Sequence, residues 1–460
     1  MWVSYLKIAL IIGDVVSENL YVVVGLGITG VSCVKYLLQQ GISVAVTDSR
    51  ASPPALAEFR KQYPDVPVTT GQLDESLLAK ASKIVISPGV SSHESAILKQ
   101  HDRGVPVVGD IELFAEVVAS PVIAITGTNA KSTVTTLVGE MATHANVKVQ
   151  VGGNLGKPAL ALLTTPQAEL FVLELSSFQL ETTYSLKPSV ATLLNVTPDH
   201  MDRYADLPSY CAAKQRIYLG CHTAVCNRDD AVTDCLNDSI QRKLYFTLKE
   251  PNENEFGLLT KQHDLFLAFE RTPLISVNEL PILGRHYQAN ALASLALGYA
   301  YGLPMSSMLD TLRTFRGLPH RCQLVRERND VRWYNDSKGT NVGAALAAIE
   351  GLGAVIEGKL ILIAGGIGKN ADFSPLVPAI KQYVKTVLLI GEAAPILEKT
   401  IGKNARVYFA NNMQEAIRMA DQESAPGDSI LLSPACASFD MFNHFEHRGT
   451  VFTELVQGLT

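Results

Sequence analysis

The first hundred residues alternate short apolar runs with runs of helical spacing. "LYVVVGLGITG" starts as an unbroken apolar strand and ends in a glycine turn. "VSCVKYLLQQG" sets apolar residues three and four apart and stops at glycine, as an amphipathic helix does. "ISVAVTD" and "KIVISPG" are further strands. This rhythm predicts a parallel sheet covered by helices. "RGVPVVGDIELFAEVVASP" reads as a link to a second unit, which opens with "VIAITGTNAKST" and runs on through "LFVLELSSFQLE" and "SVATLLNVTPDHMDR". There "LYFTLKEPNENEFGLLTKQHDLFLAF" reads as a hairpin-like excursion and "NALASLALGYAYG" as a buried helix. After "FRGLPHR" a third unit begins near His320. Its strands, in "VRWYNDSKGTN", "KLILIAGGIGKNADF", "VKTVLLIGE" and "DSILLSPACASF", end in polar, glycine-rich loops. Ligands of open α/β sheets bind at such strand ends.

The 460 residues agree with two or three domains, and 47% apolar with 18% charged residues is a globular composition. A net charge of -6 leaves no basic excess for nucleic acid. No segment reads as a membrane span. The opening "MWVSYLKIALIIG" is too short for one and is broken by Lys7, so it reads as an extension or a first strand. The seven cysteines contain no CxxC pair, which fits buried thiols in a reducing compartment, and a cytoplasmic protein is expected.

Three motifs carry chemistry. Gly25, Gly27 and Gly30 of "GLGITG" form a dinucleotide-type fingerprint, with Asp48 at the end of the next strand placed for a ribose hydroxyl. Alone it supports a NAD-dependent oxidoreductase as well as any other nucleotide binder. "GTNAKST" resembles a phosphate-cradling loop. Lys131 would reach the terminal phosphates, and the Ser132 or Thr133 hydroxyl would join Mg²⁺. Ile125 and Ala130 stand where the full spacing has glycines. Glu174 closes the apolar run "LFVLE", where an acid beside such a loop holds magnesium. The loop after "SVATLLNV" offers Asp199, His200 and Asp202, and His200 is a candidate metal ligand. By residue type, Lys214 reads as a solvated surface group. In the third unit Lys338, Lys369, Ser433 and Ser438 lie at strand ends and suit an anionic small substrate.

Taken in order from about Val22 onward, "TGTNAKST", "LELSSFQLE", "NVTPDHMDRY", "GLPHR", "NDSKGTN" and "LLSPACAS" resemble the Mur ligase family. "GDIELF" and "LELSSFQLET" are similar to the member that joins D-glutamate to UDP-N-acetylmuramoyl-L-alanine; a sibling amide ligase or a folylpolyglutamate synthase-like enzyme is the in-class alternative. The resemblance implies an α/β chain of three domains: a Rossmann-like UDP-binding domain over 1–110, a central P-loop ATPase-like domain over 111–317, and a C-terminal Rossmann-like domain over 318–460. It also implies a monomer that uses ATP and two Mg²⁺ ions. Ile28, Thr29, Asp48, Ser49, Arg50 and Gly89 would line the uridine site, and Asn154 would meet the same substrate further in. Thr126, Gly127, Thr128, Asn129, Ala130, Lys131, Ser132 and Thr133 would form the ATP loop, with Asn290, His320, Arg321, Asp336 and Lys338 around the nucleotide. Ser132, Glu174 and His200 would hold magnesium together with Lys214, which matches a carbamylated lysine. Lys131, His200 and Lys214 would be catalytic, and Thr340, Lys369, Ser438 and Phe445 would hold D-glutamate.

The chain departs from the family pattern at three positions. Ala130 replaces a loop glycine, which is harmless at negative φ and costs about 1 kcal/mol or more at positive φ. Tyr287 stands where asparagine is usual. Ile367 stands where an acid is common, which leaves Lys369 without a polar support.

Overall fold

The computed structural model describes residues 19–165, 167–235, 240–282 and 284–459, so the apolar opening segment lies outside the described residues. The chain forms two compact units. One comprises residues up to Pro121 together with Gln150–Lys187, and the other comprises Val122–Val149 together with Pro188 onward.

The first unit carries a five-stranded parallel sheet in the order Val68–Thr70, Ser43–Asp48, Leu20–Val24, Lys83–Ile86, Val107–Val108. Val22, Val24, Ile84 and Ile86 are buried beside Leu78, Ala96 and Ile97 from two covering helices. The apolar runs are continuous because both faces of a parallel sheet are covered. The helix Ile28–Gln39 starts where the first strand ends. Gly25 takes φ 94°, and a Cβ on Gly30 would lie 2.0 Å from the Gly25 carbonyl oxygen, so this turn demands both glycines. The strand Leu170–Glu174 of this unit is buried throughout.

Within the second unit seven strands are ordered Thr272–Ser276, Asp264–Phe269, Glu255–Lys261, Arg242–Phe246, Thr223–Asn227, Val190–Leu193, Val122–Thr126. The excursion read as hairpin-like is split. Arg242–Phe246 pairs in parallel with its neighbours, and the antiparallel hairpin proper joins Glu255–Lys261 to Asp264–Phe269. Its two-residue turn, Gln262 and His263, has both φ positive, which matches the twist of the strands. The helix Arg285–Tyr301 buries Ala291 to Gly298, as its alanine-rich sequence predicts.

A further six-stranded sheet runs Gln323–Arg328, Val331–Asn335, Ser429–Leu432, Leu360–Gly365, Val384–Ile390, Arg406–Phe409. Only the first pair is antiparallel, joined through Asn329 and Asp330 at positive φ. Separate apolar clusters cover its two faces, one around Ile349, Leu362 and Ile380 and one around Trp333, Ile363 and Phe452. Burial of each such side chain contributes on the order of 1.5–3 kcal/mol. Among the described residues no helix is long and apolar enough to cross a membrane, and all seven cysteines are free.

Candidate functional site

In the first unit a cleft of about 450 Å³ opens over the glycine turn. Ile28, Thr29, Asp48, Ser49, Arg50, Gly89 and Asn154 all line it. Ile28 is 79% exposed there, at the first turn of its helix. The Asp48 carboxylate accepts from the Leu26 amide at 2.6 Å and from the Arg50 guanidinium at 2.7 and 2.9 Å. Burial raises its pKa, but the bonds from Arg50 and the Leu26 amide outweigh burial and hold it below its ordinary value. Asp48 therefore shapes the turn and fixes Arg50 in the cleft. Asn154 is held twice by Glu174: its amide N–H donates to the Glu174 carbonyl, and its Nδ2 donates to Oε1, each at 2.8 Å. Glu174 Oε2 is buried with no hydrogen-bond partner among the described residues. A buried carboxylate oxygen without a donor is costly unless a cation or donor completes it.

In the second unit Thr126 ends a buried strand, and the helix Lys131–His144 starts four residues after Gly127. Lys131 Nζ donates to the Gly127 and Thr128 carbonyls, each at 2.9 Å. Lys214 does not lie on the surface. It is 1% exposed on the helix Leu207–Gln215, its Nζ donates to the same Gly127 carbonyl at 2.8 Å, and it stands over the Tyr210 ring. The surface reading fails because residue type ignores which face of the helix packs inward. Ser132 and Thr133 are buried, and Arg321 Nη2 donates to Ser132 Oγ at 2.6 Å. Asn129 is fixed by its amide to Asn195 Oδ1 at 2.8 Å. Ala130 takes φ 67°, so the harmless negative-φ case does not hold. Among the other non-glycine residues at positive φ, His200, His320, Cys322, Lys369 and Ala435 lie in or beside the motif loops. Strained backbone of this kind gathers at functional sites.

His200 is half-exposed beside Asp199. Burial lowers its pKa, Asp199 and Asp202 oppose this, and Lys369 and Lys131 add to it; the neutral ring is the form that ligates metal. Lys369 Nζ lies 3.9 Å from Asp199 Oδ1, so Asp199 supplies the acid that Ile367 lacks. Ile367 instead bridges to Ala437, which sets the loop of Lys369 beside that of buried Ser438. Asp336 accepts from the Cys322 amide at 3.1 Å and from Ser433 Oγ at 2.7 Å; burial pushes its pKa up to about 6. Lys338 Nζ stands 4.0 Å over the Phe445 ring, and His320 meets the same ring edge-on. Asn290 and Thr340 make no side-chain hydrogen bond among the described residues. Tyr287 is fully buried, stacks on Phe315, and its hydroxyl has no hydrogen-bond partner among the described residues. It is a core residue on its helix.

Two groups escaped the motif reading. Arg448 is 1% exposed and donates to the Ser337 carbonyl at 2.8 Å, to Ser337 Oγ at 3.0 Å and to the Cys436 carbonyl at 3.2 Å, so it ties "NDSKGTN" to "SPACAS". Asn341 closes the former motif and touches two other loops. An arginine within an amphipathic C-terminal helix carries no local signal of burial.

A phosphate-type loop in one unit and a nucleotide-type glycine turn in the other, with acids and lysines at strand ends, are the features of an ATP-dependent ligase. Residues 19–109 match the family model for the Mur ligase MurD-like N-terminal domain, 125–298 the Mur ligase middle domain, and 320–436 the Mur ligase glutamate ligase domain. The chain belongs to the Mur ligase family and is a three-domain α/β ligase. It is 52% identical, over 95% of its length, to the UDP-N-acetylmuramoylalanine–D-glutamate ligase of Nitrosococcus oceani, 96% of which is covered. A ligase of the same name from Coxiella burnetii is 50% identical over 96% of this chain and is covered completely. The structure of UDP-N-acetylmuramate-alanine ligase MurC from Thermotoga maritima shares the fold at a TM-score of 0.61 and 18% identity, over 96% of this chain and 99% of that one. With the family established, the nicotinamide reading of the glycine fingerprint falls away.

Proposed function

We propose that the chain joins D-glutamate to UDP-N-acetylmuramoyl-L-alanine, the two partners in its relatives' names, and that it does so with ATP in peptidoglycan precursor synthesis. One observation carries this reading. Lys131, within the loop between Gly127 and Ser132, and Arg321, from a segment far along the chain, both place a cationic group on that loop. That cationic setting suits a polyphosphate at a helix N-terminus.

The chemistry follows from the reacting groups. A carboxylate does not condense with an amine, because oxide is a poor leaving group. Transfer of the ATP γ-phosphoryl group to the alanyl carboxylate gives an acyl phosphate and ADP. The D-glutamate amine attacks its carbonyl, the tetrahedral intermediate expels phosphate, and the nitrogen loses a proton as the amide forms. Lys131 and Arg321 offset charge on the phosphoryl oxygens. Lys369, Thr340, Ser438 and Phe445 hold the amino acid, and Lys369 is oriented by Asp199. Asp336, Lys338, His320 and Asn290 surround the nucleotide. The cleft residues Ile28, Thr29, Asp48, Ser49, Arg50, Gly89 and Asn154 take the uridine substrate.

Magnesium fits the residues present. Glu174 Oε2 is a buried acceptor without a donor among the described residues. Among the described residues no three His, Cys, Asp or Glu side chains form a cage, as suits an ion that relies on phosphate and water oxygens. Ser132, Glu174, His200 and carbamylated Lys214 would hold two ions. When bound, these ions neutralise phosphate charge. Two ammonium groups share the Gly127 carbonyl; a carbamate on Lys214 turns that repulsion into attraction. The working domain limits are 1–110, 111–317 and 318–460, in a cytoplasmic monomer.

Phosphate release tests the reading. It should require UDP-N-acetylmuramoyl-L-alanine, D-glutamate and ATP together. Equal release with L-alanine and UDP-N-acetylmuramate would assign a sibling reaction instead.

A further inference from the structure

Asn341 precedes the helix Val342–Gly353 and uses both donors and one acceptor position of its side chain. Its Oδ1 accepts from the Ala344 amide at 2.8 Å, which caps the helix. Its Nδ2 donates to Asn129 Oδ1 at 3.2 Å and to Asp199 Oδ2 at 3.1 Å. The other Asp199 oxygen accepts the His200 amide and faces Lys369. One side chain thus joins the Gly127–Thr133 loop, the loop after the strand Val190–Leu193, and the loop after the strand Val331–Asn335. Close approach is built in at the next turn, where a Cβ on Gly343 would lie 2.7 Å from Thr197 Oγ1. Asp, Ser and Thr can also cap a helix, but none of them donates two hydrogens from the same atom. A side chain needed only as a cap would leave the amide unused.

We infer that Asn341 is a positioning residue that couples the nucleotide loop to the amino-acid site, by holding Asn129 on one side and the Asp199 carboxylate that faces Lys369 on the other. The inference rests on the ligase reading above. Through it the segment carrying Asp336, Lys338 and Thr340 is set in register with the phosphate loop. The cleft of the first unit has no part in this bridge.

Asn341→Asp separates the roles: aspartate keeps the cap but loses both donors and sets a carboxylate against Asp199. Asn341→Ala loses cap and bridge together. For Asn341→Asp in the full chain, the KM for ATP and for D-glutamate should each rise on the order of tenfold, with the KM for the uridine substrate within about twofold of wild type. Its unfolding midpoint should fall as that of Asn341→Ala does, because two carboxylates then face each other, so the KM pattern is what separates the bridge from the cap. ADP affinity by calorimetry, without the other substrates, should fall with the ATP effect. Unchanged KM values or a uniform rise in all three would overturn the inference. If the wild type releases no phosphate with its two substrates, the ligase reading fails separately. ADP affinity then decides alone: a loss in Asn341→Asp supports the bridge, and an unchanged value overturns it.

Discussion

Arg321 donates through Nη2 to the hydroxyl of Ser132 at 2.6 Å, across 189 positions of sequence. The tight path that aims it there has His320 and Cys322 at φ 62° and 45°. Arg321 is only partly buried, so its removal should leave stability within about 1 kcal/mol. Loss of a donor aimed at transferring phosphoryl oxygens costs roughly 10²–10³-fold in rate. Arg321→Ala should therefore fold and lose turnover by about that factor in a phosphate-release assay. Arg321→Lys should recover little, because a point charge does not replace the planar fork. Near-normal turnover in the alanine variant would show that the Ser132 contact is structural.

Ala130→Gly should stabilise the protein. At φ 67° alanine bears a left-handed penalty of about 1–2 kcal/mol, and glycine returns about 0.5–1 kcal/mol of unfolded-state entropy. The net gain should be on the order of 1 kcal/mol with ATP turnover retained. Chemical denaturation of the two proteins side by side measures it, and a loss of stability would contradict the strained loop.

For Lys214, a methionine variant keeps most of the buried volume and removes the nitrogen. Lys214→Met should fold, give less than about 1% of wild-type turnover on the scale of losing a catalytic group, and lack the carbamate signal that ¹³C-bicarbonate gives with the wild type. Acetate should restore part of the rate in Lys214→Ala by supplying a carboxylate. A wild type with no carbamate signal and a fully active variant would leave the buried lysine a packing residue.

Asp336 makes stability depend on pH with a definite sign. Burial raises its pKa from the ordinary value near 4 to about 6, against the opposing bonds from Ser433 and the Cys322 amide. The folded state therefore holds the proton more tightly than the unfolded chain. The contribution to stability is full below pH about 4 and is lost as pH rises through about 6. Asparagine keeps both bonds, accepting from Cys322 and donating to Ser433. Asp336→Asn should match wild type near pH 4 and exceed it by on the order of 2–3 kcal/mol at pH 7, while turnover falls because the carboxylate is a proposed nucleotide contact. Denaturant titrations at both pH values test this; equal differences at the two pH values would refute it.

Local chemistry was legible in the sequence. Gly25 and Gly30 follow a strand and open a helix because steric limits on that turn act within six residues. The seven residues assigned to the uridine site border one cleft. Glycine turns, apolar strands and the lysine-serine-threonine run announce themselves through covalent neighbours and period. The same holds for the helix Arg285–Tyr301, whose alanines and leucines leave no polar face. The hairpin Gln323–Arg328 to Val331–Asn335 was missed although Asn329-Asp330 is a recognisable turn signal.

Other properties were decided only by tertiary structure. The sequence near Lys214 reads as an exposed helix, and burial over Tyr210 depends on a loop 87 residues away. The sign of φ at Ala130 is set by how the loop docks, not by alanine's own preference, which is against it. Asp199 replaces the acid absent at Ile367 from a different strand end. Asn341 and Arg448 gain their roles from partners more than a hundred positions away. The sequence by itself determined which elements form and which ligand chemistry they can carry. Which side chains meet, which are dry and which backbone is strained were decided by packing, because burial and hydrogen-bond partnership belong to the surroundings of a residue and not to its type.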